Sequence, residues 1–232
     1  MSCCWRGLCG EVFSFIFDFS NMKNIIVFGA SGRTGKMVVQ YALEAGHRVT
    51  AFDHNHTLAI THPQLNLLQG SVYDTEMVFE AIKGHDVVIS TLGVRQIDGD
   101  AVNLMSDAMK VFVEVMETQG IKRVLAVGGL AVLQLNENMQ LIDKPDYPAE
   151  YKNVGEGHNK VYKVLRVTDL DWTFVGCPDI IDGVKTGHYN VNKNYPAKGK
   201  FQIFTGDLAD FILKEMEANQ FLKTRVGIAN TE

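Results

Sequence analysis

The chain has 232 residues, 46% of them hydrophobic and 21% charged, enough to bury one core without a second domain. Its net charge is −5 with no long run of one sign, which argues against nucleic acid as a partner and leaves small acidic ligands open.

Residues 1–21 carry the apolar stretch "EVFSFIF", bounded by Glu11 and Asp18. It is too short to span a bilayer and lacks the basic start and cleavage site of a secretory signal, so no membrane partner is expected. Met22 and Lys23 lead directly into a strand. Residues 1–21 are therefore expected to be a non-native or disordered extension, outside a single domain of residues 22–232. Cys3, Cys4 and Cys9 lie in that extension and Cys177 stands alone, which is neither a disulfide framework nor a metal-ligand spacing. The pattern predicts a reducing, cytoplasmic setting and no metal.

From Met22 onward, short β-branched runs alternate with longer amphipathic stretches, the pattern of βαβ units in a parallel sheet. Strands are predicted over 24–28, 48–52, 65–68, 86–90, 123–127 and 172–175, with a seventh at "RVGI". Helices are predicted over 34–44, 75–82, 101–119, 157–167 and 207–217, several closed by glycine at Gly46, Gly84 and Gly120. The long irregular stretches 128–155 and 176–200 follow the last two predicted strands. In a doubly wound α/β sheet they would line the ligand crevice.

The first strand and helix are joined by "IIVFGASGRTGKMVV". A strand, then glycines at 29, 32 and 35, then a helix is the context that makes such a motif a dinucleotide site. Gly29 permits the sharp turn, Gly32 lets a pyrophosphate approach the backbone, and Gly35 allows helix to pack closely on strand. Free amides at the helix start suit a diphosphate, and Ser31, Arg33 and Thr34 can add polar contacts. The next strand, "HRVTAFD", ends on Asp53, placed to accept hydrogen bonds from the ribose hydroxyls and to repel a 2′-phosphate. These residues predict a Rossmann-like fold that binds NAD, with NADP as the alternative. His54 and His56 in "DHNH" lack further ligands at metal spacing and are read as an exposed turn.

From Lys23 to Ile228 the chain resembles the atypical short-chain dehydrogenase/reductases of the flavin reductase and biliverdin-IXβ reductase type, and their relatives among the nitrogen-repression regulators. The resemblance rests on "VFGASGRTG", "AIKGHDVVISTLGVR", "WTFVGCPDIIDG" and "GDLADFIL". It implies that Thr91, Leu92, Gly93 and Arg95 border the cofactor, with Ser71 and Val72 beside the adenine. It also implies that Gly128, Cys177 and Pro178 lie near the nicotinamide. Two departures fall on the substrate side: Gly129 stands where a serine is common, and Asp179 where biliverdin-type enzymes carry a histidine.

The tyrosine with lysine four residues later, used by ordinary short-chain dehydrogenases, is missing. Tyr147, Tyr151 and Tyr162 are followed at that distance by Tyr151, Gly155 and Arg166. Alcohol and ketone chemistry, which needs that acid/base device, is disfavoured, as is a sugar-nucleotide or isomerising activity. The expectation is an NAD(P)H-dependent reductase that delivers hydride to a flat conjugated acceptor such as a flavin, tetrapyrrole or quinone, with solvent supplying the proton. A non-catalytic dinucleotide sensor is the alternative. Oligomeric state is left open.

Overall fold

The structure is a computed structural model that describes residues 22–54, 58–93 and 101–231. The predicted extension 1–21, with Cys3, Cys4 and Cys9, lies outside the described residues, as do His56 and Arg95. In chain order the elements are β1 (Asn24–Phe28), α1 (Arg33–Glu44), β2 (Arg48–Asp53), β3 (Leu65–Gln69), α2 (Thr75–Ile82), β4 (Val87–Ser90), α3 (Ala101–Gln119) and β5 (Arg123–Gly129). They continue as β6 (Gln134–Asn136), β7 (Met139–Gln140), α4 (Ala149–Leu165), β8 (Asp171–Cys177), β9 (Asp179–Ile181), β10 (Tyr189–Lys193), β11 (Gln202–Phe204), α5 (Thr205–Ala218) and β12 (Thr224–Asn230).

Among the described residues, eight strands form one sheet in the order β10-β12-β8-β5-β4-β1-β2-β3. Every neighbouring pair is parallel except β10 with β12. The sheet reverses direction at β1 and β4, which opens a crevice beyond their carboxyl ends. Alternation sorts β1 between two cores: Ile25 and Val27 pack under α1 and α5, whereas Ile26 and Phe28 pack under α2, α3 and α4. Because both faces are covered, the central strands read as continuous apolar runs, and each fully buried side chain contributes about 1.5–3 kcal/mol.

Three predictions need correction. Helix α4 begins at Ala149, well before the expected start at 157, and takes in residues the sequence reading left irregular. The second irregular stretch holds β10, an antiparallel edge strand, and β9, which pairs in parallel with β11 just beyond the stretch. A hairpin of β6 and β7 falls within the first. Among the described residues no helix is long and apolar enough to cross a membrane, and no cluster of His, Cys, Asp or Glu forms a metal site.

Candidate functional site

After β1, Gly29 takes φ +78° and donates its N–H to the Phe52 carbonyl, 3.2 Å away, which turns the chain sharply into α1. A Cβ on Gly35 would fall inside the contact distance of the Gly29 carbonyl oxygen, so this glycine lets the helix close on the turn itself. Gly32 has φ −65°, open to any residue, and a Cβ there would meet only the Gly29 oxygen, at 3.1 Å. Gly32 is the N-cap of α1 and no side chain caps it. The first helical bond runs from Lys36 N–H to Gly32 O, leaving the amides of Arg33, Thr34 and Gly35 ahead of it. Those amides and the helix dipole make an anion cradle. Thr91 steadies it: its hydroxyl donates to the Phe28 and Gly29 carbonyls at 3.0 and 3.1 Å.

The cradle opens into a cleft of about 610 Å³, bordered by Gly29, Ser31, Gly32, Asp53, His54 and Ser71. Val72, Thr91, Leu92 and Gly93 complete the expected lining. Asp53 borders one end of the cleft, and one of its carboxylate oxygens accepts the Ser31 N–H at 2.8 Å. Gly70 donates its N–H to the Asp53 carbonyl and packs flat on the Phe52 ring, where a Cβ would come within 2.7 Å. The cleft also holds residues the sequence reading passed over. Lys36 brings a cation to the rim, Tyr73 stands there 67% exposed, and Leu104 contributes from α3. Lys36 and Tyr73 could have been suspected from their places beside Gly35 and Val72. Leu104 reaches the site only through the tertiary fold.

Other expected residues stand elsewhere. Arg33 is directed toward Asp182, 3.8 Å away beyond β9. The Cys177 side chain is buried in the core under α1 and α5, where burial drives its thiol far above the ordinary range. Only its backbone can border the crevice, next to half-buried Pro178. Gly128 lies against the Phe174 ring. Asp179 is exposed at the start of β9, paired in register with Gln202.

At Gly129 the space a serine side chain would fill is taken. His158, on α4, accepts the Gly129 N–H at Nδ1, 3.0 Å, and a Cβ on Gly129 would come within 2.9 Å of that nitrogen. The neutral ring therefore carries its proton on Nε2. Burial lowers the pKa of the imidazole to about 4, so it is uncharged at neutral pH. Nε2 has no hydrogen-bond partner among the described residues and is not one of the fold's sealed orphan atoms.

A glycine turn at a topological switch point, an uncapped helix start and an acidic residue at the end of the second strand define a dinucleotide-binding α/β domain. The chain belongs to the NAD(P)H-binding family, whose sequence model matches residues 29–219. Similar proteins include YwnB of Bacillus subtilis, itself uncharacterised, 29% identical over 212 residues that cover 88% of this chain and 97% of YwnB. A Streptococcus pneumoniae structure, provisionally described as an NADH-flavin reductase, has a TM-score of 0.80 at 28% identity, covering 90% of this chain and 100% of that one. A Burkholderia pseudomallei structure, provisionally described as an exported protein, has a TM-score of 0.77 at 30% identity with the same coverage. The expected Rossmann-like fold and the resemblance to the atypical short-chain reductases are borne out.

Proposed function

We propose that this protein is an NAD(P)H-dependent reductase that passes hydride to a conjugated acceptor of the flavin, tetrapyrrole or quinone class. The observation that carries the reading is the uncapped start of α1 opening into a cleft that runs from Asp53 to Leu104. In this reading the amides of Arg33, Thr34 and Gly35 hold the diphosphate, Asp53 orients the adenosine ribose, and Ser71, Val72 and Tyr73 flank the adenine. A bound reduced nicotinamide would supply a hydride at the β4 and β5 side of the crevice. Position 129 carries no hydroxyl and α4 no tyrosine–lysine pair, which fits an acceptor whose proton comes from solvent.

NADH is the preferred cofactor in this proposal, because the Asp53 carboxylate opposes a 2′-phosphate and Arg33 is engaged at Asp182. Lys36 at the rim acts in the opposite direction. The domain comprises residues 22–232 and works in the cytoplasm, as the cysteine usage suggests. Titration with NADH and NADPH, followed by absorbance at 340 nm with FMN, biliverdin and menadione, tests the reading. Turnover with any of these supports a reductase. Binding without oxidation supports the sensor alternative, and no binding ends both.

A further inference from the structure

We propose that the protein holds a second ligand site, separate from the dinucleotide cleft, in which Arg225, Arg166 and Lys163 bind a small oxyanion, a carboxylate or a phosphate. The site goes beyond the reductase reading and does not depend on it. It is a cavity of about 250 Å³ between α4, the hairpin of β6 and β7 and the start of β12, bordered by those three cations and by Asn159 and Tyr162. None of its lining residues lines the dinucleotide cleft.

Two observations meet in this cavity. The first is a buried charge without a counter-charge. Arg225 is 7% exposed, and its guanidinium lies over the Tyr162 ring, 4.6 Å from the centroid, while Nη1 donates to the Val132 carbonyl. Among the described residues no carboxylate pairs with it, whereas the comparably buried Arg123 has Glu215 at 2.9 Å. Burial chiefly, with Arg166 adding like charge, lowers the Arg225 pKa, which marks a cation short of a partner. The second is unmet hydrogen bonding at the same place. Arg225 Nε and Asn159 Oδ1 are both buried with no partner. Nη2 is neither bonded to a described residue nor sealed from solvent, which leaves it reachable from outside.

Glu137 and Asp143 also border the cavity, but Asp143 accepts the Gln140 N–H at 3.2 Å, and neither carboxylate forms an ion pair with the three cations. Three positive groups against two negative ones leave the lining with a surplus of one positive charge. An oxyanion on Nη2 gives the guanidinium a charge-assisted hydrogen bond where water is scarce, so the bond is stronger than at an exposed arginine. The cavity admits one small molecule. Occupation would tie α4 and the hairpin to β12 and so raise the stability of the folded chain.

Calorimetric titration and thermal unfolding of the full chain with phosphate and with succinate, each against chloride at equal ionic strength, test the site. The expected result is saturable binding of at least one of the two, with a rise in melting temperature that chloride does not give. The tighter ligand tells whether the recognised group is a phosphate or a carboxylate. Arg225→Met removes the charge, and the Val132 carbonyl keeps the Gln140 side-chain amide at 3.1 Å. This variant should melt at or above wild type in chloride and bind the anion at least about tenfold more weakly. Replacing the exposed pair, Lys163→Gln with Arg166→Gln, should weaken binding about three- to tenfold. Phosphate can also enter the cradle at α1, so each titration is repeated in Gly32→Val, where the Arg225-dependent response should persist. No saturable binding by wild type, equal affinity in wild type and Arg225→Met, or a response lost in Gly32→Val and kept in Arg225→Met overturns the site. Should Arg225→Met fail to fold, the Lys163 and Arg166 double variant decides, and an affinity within about twofold of wild type overturns the site equally.

Discussion

Changing Asp53 alters two things at once, because the residue both borders the cleft and holds the Ser31 amide through its carboxylate. Asp53→Asn keeps an oxygen for that amide while removing the charge. We expect NADPH affinity to rise about tenfold relative to NADH, about 1.4 kcal/mol, in competitive titration. Asp53→Ala also frees the turn and should weaken both cofactors, and adding His54→Arg should recover NADPH selectively by supplying a fixed charge. Lys36→Met should cost NADPH more than NADH. Two glycines of one motif should also part company. Gly32→Val, at a backbone angle any residue adopts, should lower dinucleotide affinity at least about tenfold with little change in melting temperature. Gly35→Ala, whose methyl would press on the Gly29 carbonyl, should cost about 1–3 kcal/mol of stability in urea unfolding.

Between elements, one carboxylate joins several segments. Glu215 of α5 accepts from Arg123 of β5 at 2.9 Å and from Thr173 of β8 at 3.1 Å, and it caps the turn to β12 through the Phe221 N–H at 2.9 Å. Burial is the main reason the Arg123 pKa is lowered, so the guanidinium depends on this partner. Glu215→Ala should therefore cost about 3–5 kcal/mol in urea unfolding, while dinucleotide affinity in the folded fraction changes little. None of this network was legible in the sequence, because a glutamate near the end of an amphipathic helix reads as solvent-facing. What was legible has a local cause. Helices α2 and α3 match their predicted spans, since the apolar period is clear in both and α2 is also capped: Asp74 accepts the Met77 N–H at 3.0 Å. The start of α4 was missed because "AEYKNVGEG" is polar and holds two glycines. Gly155 serves close packing, since a Cβ would come within 2.9 Å of Ala131. Strand β10 was missed because an edge strand needs no apolar alternation, and its asparagines read as a loop. The anion cradle was legible because one contiguous motif builds it. The contact of Gly129 with His158 was not, because the two come from separate elements.

Across the whole molecule, three histidines tie stability to pH in the same direction. Burial lowers the pKa of His47 despite the Glu217 carboxylate, lowers that of His85 despite its bond to the Ile82 carbonyl, and takes His158 to about 4. Each binds a proton more readily in the unfolded chain, near pH 6.5, than in the folded one. The unfolded state therefore holds more protons between those values, and stability should fall as pH drops from about 6.5 toward 4. His158 alone contributes up to about 3 kcal/mol of that loss at the acid end. Urea unfolding at stepped pH should show the decline, and His158→Asn should flatten it. The enclosure of His158 against Gly129 also has an evolutionary side. A serine at 129 and a histidine at 158 exclude each other, since the ring stands where the serine side chain would go. A lineage moving between these two arrangements must pass through a crowded intermediate or a hollow one. The two positions should therefore change together or not at all.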